Sequence, residues 1–476
     1  MANARIKAPE FPDSTEWVNT EEPVRLENHR GKVIMLDFWR SCHVGCLESQ
    51  ADIQYLESKF RDGLVVVGIH SPKFAHECTS HAIRQAIARQ QVRHPVINDS
   101  SYDMWKRFRI KQSPSFIFID TEGYIIGALS GAGRRHQIEG LIQKNLMQAD
   151  IKNIRDRTPF PLTEPQDSQR PLSYPGRILA TSDRLYISDS GHNRVLECNH
   201  DGKILRRFGT PMSGLLDGEL EDSSFSNPQG LAKIGDYLYV ADAANHALRR
   251  IHLPKGEVHT VIGNGNKGVI ANQDYADPGV AQLNFPWALH HHNGSLYISL
   301  AGQHQIWRWN LSMNQLAPIT GSGAEGLKDG VACDTLFAQP CGISSSSDGL
   351  FVADASSSSI RSIRMPDINV TTLVGKGLND YGNQDGPASA ARLQRPMDIA
   401  YDKKRDLLWI CDTYNHTLKY LRVRSRDVGT LDLAGLDEPG GLSLLDDYLW
   451  VVNTNKHEIS RLDLARGNAE VINIHD

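Results

Sequence analysis

Dense apolar runs and helical periodicity alternate over the first third of the chain. Residues 33–39 (VIMLDFW) and 64–70 (LVVVGIH) are nearly unbroken apolar stretches of strand length, the pattern of strands covered on both faces. Between them, the apolar positions of 47–57 recur at helical spacing. Residues 75–91 read as a second helix, 95–99 as a strand at the sheet edge and 103–108 as a short helix. Two strands, 115–120 and 124–131, flank the turn Thr121-Glu122-Gly123, and a last helix fills about 134–148. This order predicts one α/β sheet covered by helices over residues 1–150.

Residues 151–174 change character. They are rich in proline and polar residues and read as a linker. From 175 to 476 a different pattern repeats. Alternating strands begin at 185, 238, 296, 350, 408 and 449, and each passes through a polar turn into a second strand. Pro-containing strands precede the later ones (NPQGLA at 227, FPWALH at 285, QPCGIS at 339, RPMDIA at 395, EPGGLS at 438). YPGRILA at 174 is a weaker counterpart for the first. Most units close on a strand ending in glycine, such as HTVIGNG. Units of about four strands stacked round an axis bury both sheet faces and leave only short edges, so six anchors predict a six-bladed, all-β propeller.

Composition narrows the function. Lys+Arg number 51 and Asp+Glu 56, a formal net charge of −5, which gives no drive toward nucleic acid or a membrane surface. No apolar stretch has the length of a spanning helix, and the N-terminus has no signal-peptide pattern. Seven scattered cysteines argue against a disulfide framework and for a reducing compartment, with the cytoplasm the simplest location.

The chemistry-bearing segment is Asp37-Phe38-Trp39-Arg40-Ser41-Cys42-His43-Val44-Gly45-Cys46, at the junction of a strand and a helix. It resembles the thioredoxin active-site segment D-F-W-A-x-W-C-G-P-C without a gap. The resemblance implies that Asp37 is the family's buried acid and Cys46 its resolving cysteine. It also implies that Pro114 is the cis-proline beside the dithiol. The family's attacking cysteine aligns with His43 and its tryptophan with Cys42, so the sulfurs are spaced C-x3-C. If both sat in one regular helix, their Cα atoms would lie ~6 Å apart, allowing a strained, easily reduced bridge. His43 between them could stabilise a thiolate, or could simply face solvent in a decayed site. Residues 68–74 and 94–99, with Trp105, are similar to thioredoxin-like domains related to bacterial cytochrome-maturation oxidoreductases. His70, ending a strand, could approach the dithiol or bond a local loop, and Asn98 reads as bonding a local loop.

The turns Asp189-Ser-Gly-His-Asn193, Asp242-Ala-Ala-Asn-His246 and Asp412-Thr-Tyr-Asn-His416 carry the D-x-x-N-H element of NHL repeats. They are expected to be structural, the carboxylate accepting backbone N–H groups in the hairpin turn and Asn tolerating positive φ. Blades 3, 4 and 6 depart at Leu300, Ser357-Ser358 and Asn453. His290-His291-His292 cannot easily ligate one ion, because successive strand residues face opposite ways. Cys78, Cys198, Cys333, Cys341 and Cys411 lack ligand spacing, and Cys341 and Cys411 read as core. No cofactor and no metal is expected.

The whole chain resembles NHL-repeat-containing proteins with an N-terminal thioredoxin-like domain. Close animal relatives carry C-C-x-x-C where this chain has Cys42-His43-Val44-Gly45-Cys46. The resemblance implies a thiol-redox or protein-interaction role in the cytosol. Two readings stay open. In one, Cys42 and Cys46 exchange disulfides, Asp37 shuttles the proton, Pro114 orients the partner backbone and the propeller docks the protein substrate. In the other, the groove and the propeller face bind protein partners without turnover. A third, borrowed from NHL-propeller lyases of amidating peptides, needs a metal-binding ring of His and Asp on the inner strands, where only Asp398 and His290 are available.

Overall fold

The computed structural model describes residues 5–164, 170–270 and 273–476, and the chain divides into two compact units, 1–167 and 168–476. Residues 165–169 of the expected linker lie outside the described residues.

The first unit is built on β1 (Ile6–Lys7), β2 (Glu16–Val18), β3 (Val33–Trp39), α1 (Val44–Lys59), β4 (Leu64–His70), α2 (Ser80–Gln90) and β5 (Val96–Asn98). It is completed by α3 (Asp103–Arg107), β6 (Ser115–Ile119), β7 (Tyr124–Ser130) and α4 (Arg135–Ile151). The sheet order is β1-β7-β6-β3-β4-β5-β2, with β3, β4 and β5 parallel and β6 antiparallel to β3. All seven residues of β3 and of β4 are buried, because apolar layers cover both faces. One layer joins Ile34, Leu36 and Phe38 to Val65, Val67 and Met104. The other joins Met35 and Val66 to Ile53 and Leu56 of α1 and to Ile142 and Leu146 of α4.

Three expectations change here. The strand at 95–99 is not the edge, since β2 pairs outside it. The helix expected over 75–91 is a 3-10 turn, Ala75–Cys78, followed by α2, whose start is capped by the Thr79 hydroxyl. After α4, Lys32 Nζ donates to the Asp156 carbonyl at 3.1 Å and Arg155 pairs with Asp62 at 3.1 Å, so the first part of the linker lies against this unit.

The second unit is a ring of six antiparallel sheets, spanning 177–208, 228–262, 286–320, 340–374, 396–431 and 439–472. Each sheet packs an apolar cluster against the next, and the last packs on the first through Ile187, Leu196, Trp450 and Val452. Blades 2, 4 and 5 gain a short outer strand from the preceding loop, locked by a repeated carboxylate. Asp217 accepts from Thr260 and Arg249, Asp329 from Thr372 and Arg361, and Asp385 from Thr430 and Lys419.

The NHL turns prove structural, by a device other than the one expected. In each blade one oxygen of the first polar residue reaches back to the backbone N–H before its own inner strand, and in blades 1, 2, 4 and 5 the second oxygen stays in the turn, on the side chains of His192, Asn245, Ser357 and Asn415. Asp189, Asp242, Asp354 and Asp412 accept from Ser173, Ser226, Ala338 and Gln394 at 2.6–2.7 Å. Asn453 accepts from Asp437, and in blade 3 Gln303 accepts from Asn284. The last turn residue, in left-handed conformation, accepts a backbone N–H from the next blade. Asn193, His246, His304, Ser358, His416 and His457 take the N–H of Asn227, Phe285, Gln339, Arg395, Glu438 and Tyr174 at 3.0–3.2 Å. What the repeat needs at this point is an acceptor, which His Nδ1, Asn Oδ1 or Ser Oγ all provide. Blade 4 therefore keeps the pattern through Asp354 and Ser358.

Candidate functional site

Backbone geometry creates the thioredoxin-like site at the C-terminal end of β3, where parallel strands hand over to helix N-termini. His43 is the N-cap of α1, and its carbonyl accepts from Cys46 N at 2.9 Å and Leu47 N at 3.2 Å. Its imidazole folds over the first turn of the helix, so that Nδ1 lies 3.9 Å from Cys46 Sγ. Gly45 makes room for it. A Cβ there would stand 3.0 Å from His43 Cε1 and 3.4 Å from Pro114 Cδ. The Ser113–Pro114 bond is cis, as the resemblance implied.

The two sulfurs are not an i,i+4 pair of one helix. Cys42 lies in the turn before α1 and Cys46 in its first turn. Both are sealed, with 1% and 0% of their surfaces exposed. Cys46 Sγ accepts the Arg40 backbone N–H at 3.4 Å, and burial pushes its thiol up to about 12. Asp37 is fully buried in β3 beneath it. Burial raises its carboxyl to about 7, opposed by nearby His94 and by Gln50 Nε2 at 3.4 Å. His70 does reach this segment. Its Nε2 accepts the Ser41 N–H at 3.3 Å, and burial lowers the imidazole to about 4, so the ring acts as a neutral brace. Asn98 donates to Glu16 and to the Cys78 carbonyl, a local role.

Two residues that sequence reasoning missed shape the rim. Glu77, 1% exposed, accepts the Ser41 hydroxyl at 2.6 Å and the Cys42 N–H at 2.9 Å on one oxygen. Its other oxygen takes the Lys73 and Phe74 N–H groups at 3.0 and 3.1 Å. It thus clamps the turn carrying Cys42 to the loop after β4. A glutamate in a helix-like stretch looks solvated, and no local signal marks it. Arg40 lays its guanidinium over Trp105, 4.8 Å from the ring centroid, and donates Nε to the Ser71 carbonyl at 3.0 Å.

In the propeller, a cavity of about 370 Å3 lies within the ring of inner strands. Asp398 and His290, the residues a lyase-type centre would use, are separately engaged. Asp398 faces Arg177 at 3.6 Å and accepts Leu442 N at 2.8 Å, and His290 Nε2 bonds Ser345 Oγ at 2.8 Å. Among the described residues no group of three or more His, Cys, Asp or Glu side chains is placed to hold a metal ion. Cys341 and Cys411 are core residues, both raised by burial. Among the described residues no helix is long and apolar enough to cross a membrane.

Comparison with known proteins adds the following. A family model described as thioredoxin-like matches residues 31–125. NHL repeat-containing protein 2 of Bos taurus is 33% identical over 98% of this chain and 71% of its own length. Protein SUPPRESSOR OF QUENCHING 1, chloroplastic, of Arabidopsis thaliana is 34% identical over 98% of this chain and 48% of its own. Over the first unit, the thiol-disulfide oxidoreductase YkuV of Bacillus subtilis is 24% identical across 31% of this chain and 98% of its own.

Proposed function

We propose, from the premise that this chain belongs to the family of NHL repeat-containing protein 2, that it is a two-module protein-binding scaffold. In this reading its thioredoxin-like unit holds peptide beside Pro114 without turning over disulfides, and its propeller face docks a second protein surface. One observation carries it: His43 occupies the N-cap where an attacking thiolate would stand, and it folds over a Cys46 thiol that is buried and pushed up to about 12. An imidazole forms no mixed disulfide, and a sealed thiol at that value at the resolving position supplies almost no thiolate near neutral pH to release one. The scattered cysteines support a reducing compartment, which we read as the cytoplasm.

The test is reduction of insulin disulfides by the full chain with dithiothreitol as electron source. The wild type should give no rate above dithiothreitol alone. His43→Cys, which restores two-residue spacing to Cys46 at a helix N-terminus, should switch turnover on. A wild-type rate that Cys46→Ser abolishes would overturn the scaffold reading.

A second reading, a working Cys42–Cys46 dithiol, is favoured by the retention of Asp37, raised to about 7 beneath Cys46, and of cis-Pro114. Its steps would be attack by one sulfur on a partner disulfide, release of the mixed disulfide by the other, and proton transfer through Asp37. A mass-spectrometric thiol count across graded redox buffers separates the two. Joint loss of the Cys42 and Cys46 thiols at a defined potential supports the dithiol.

A further inference from the structure

Arg40 and the basic residues just before Pro114 in the chain form no ion pair among the described residues. Arg40 is half-buried and fixed on the Trp105 face by its Nε bond to the Ser71 carbonyl, and among the described residues it forms no ion pair. Its backbone N–H touches Cys46 Sγ, and its charge is close enough to act on that thiol. Residues 105–113, the approach to the cis bond, contain Lys106, Arg107, Arg109 and Lys111 and no acid. Lys106 and Arg107 turn to the carbonyls of Ser101 and Glu10. Arg109 and Lys111 are exposed and have no ion-pair partner among the described residues. Of the nearby acids, Glu77 is buried in its four-bond clamp and Asp99 is buried on Ser71, Met104 and Trp105, while Glu48 carries its carboxylate toward Gly133, close to the Gly131 that bonds the Pro114 carbonyl. A guanidinium stacked on an indole, its Nη groups lacking carboxylate partners, is a preorganised fork for a carboxylate.

We propose that the Pro114 edge of the thioredoxin-like unit selects an extended segment rich in aspartate and glutamate, one carboxylate seated on Arg40 and its neighbours on Arg109 and Lys111. The inference rests on the scaffold reading above, in which this edge binds peptide, and adds the chemistry of the partner. A protein segment fits better than nucleic acid. The chain carries a net charge of −5, and three cations do not make the continuous basic strip that a phosphate backbone requires.

The test is fluorescence anisotropy of the full chain with three labelled peptides of equal length: Glu/Asp-rich, Ser/Gly-rich and Lys/Arg-rich. Oligouridine serves as a second polyanion. The acidic peptide should bind at least ~10-fold tighter than the neutral one and weaken as salt is raised. Arg40→Gln and, separately, the surface change Lys111→Glu should each reduce its affinity by ~5- to 10-fold, leaving the neutral peptide unmoved. The second variant guards against a folding defect in the first. Equal binding of acidic and neutral peptides overturns the inference and leaves the scaffold reading standing. Binding of none of the three peptides overturns both. Oligouridine binding as tightly as the acidic peptide, with the same sensitivity to Lys111→Glu, also overturns it.

Discussion

Arg177 and Asp398 face each other at 3.6 Å across the axis of the propeller, from the innermost strands of blades 1 and 5. Two residues after the inner-strand proline, the other four blades carry Gly230, Ala288, Gly342 and Gly441, so this pair fills space its counterparts leave open. Arg177 also donates to the carbonyls of Gly440 in blade 6 and of Met397, the latter at 2.7 Å. The first and last sheets exchange no strand. The ring closes through Thr454 Oγ1 to the Pro175 carbonyl at 3.0 Å, through a parallel backbone bridge between Lys203 and His475 in which Ile204 N donates to the His475 carbonyl at 2.7 Å, and through this arginine.

Arg177→Met should therefore destabilise the propeller by ~3 kcal/mol, because it leaves Asp398 buried without its cation and several carbonyls without a donor. Adding Asp398→Asn should recover part of the loss. Urea unfolding of the two single variants and the double variant, read as a cycle, checks this, and additive losses would dismiss the coupling.

Gly230 tests how tightly the inner strands approach. A Cβ there would lie 2.7 Å from Ala288 Cα and 2.7 Å from Leu289 N, both backbone atoms that cannot turn aside. Gly230→Ala should cost ~1–3 kcal/mol by overpacking. Gly140→Ala in α4 meets no atom within 4 Å and should instead stabilise by up to ~1 kcal/mol. Thermal melts of both give the opposite signs, and a neutral Gly230→Ala would mean that the blades are free to separate.

The inter-blade bond from Phe285 N–H to His246 Nδ1 makes stability depend on pH. Burial lowers this imidazole from 6.5 to about 4. Above pH 6.5 the ring is neutral in both the folded and the unfolded chain. As pH falls from 6.5 toward 4 only the unfolded chain takes the proton, so stability is lost across that window, by up to ~3 kcal/mol for this group. Asp242 and Asp354, raised to about 6, slope the other way, so the wild-type profile is a sum and a difference measurement is needed. His246→Asn keeps an acceptor, as Asn193 does in blade 1, and removes the titration. Relative to wild type it should gain stability between pH 6.5 and 4, read by urea midpoints at several pH values, and a pH-independent difference would rule out His246 as the source.

Strands buried on both faces announce themselves, and β3 and β4 begin and end where the apolar runs 33–39 and 64–70 do. The short β1 and β2 leave no trace, because two or three residues cannot display an alternation. By residue name alone Ser357-Ser358 breaks the repeat. The fold conserves an acceptor at the end of the turn, and Ser358 Oγ provides it. At the candidate site, Asp37, His43, Cys46 and Pro114 are placed by the resemblance to the thioredoxin active-site segment. The spacing of sulfurs along a chain contains nothing about burial, however, and it is burial that decides the thiol chemistry here.

Glu77 gives a direct measure of how firmly that burial holds. One buried carboxylate takes four donors, from Ser41, Cys42, Lys73 and Phe74, and so pins the Cys42 turn. In Glu77→Gln the amide nitrogen can no longer accept, and two of the four bonds lose their acceptor. A charge-assisted bond in a buried site is worth ~1.5–3 kcal/mol, which favours local opening of the turn by ~10- to 100-fold. Iodoacetamide labelling followed by peptide mass spectrometry should then show Cys42 reacting at least ~10-fold faster than in the wild type. Cys46, held within the first turn of α1, should change little and reports on the rest of the unit. Equal acceleration of both would mean that the whole unit has loosened, and an unchanged Cys42 would mean that something other than Glu77 keeps the turn closed.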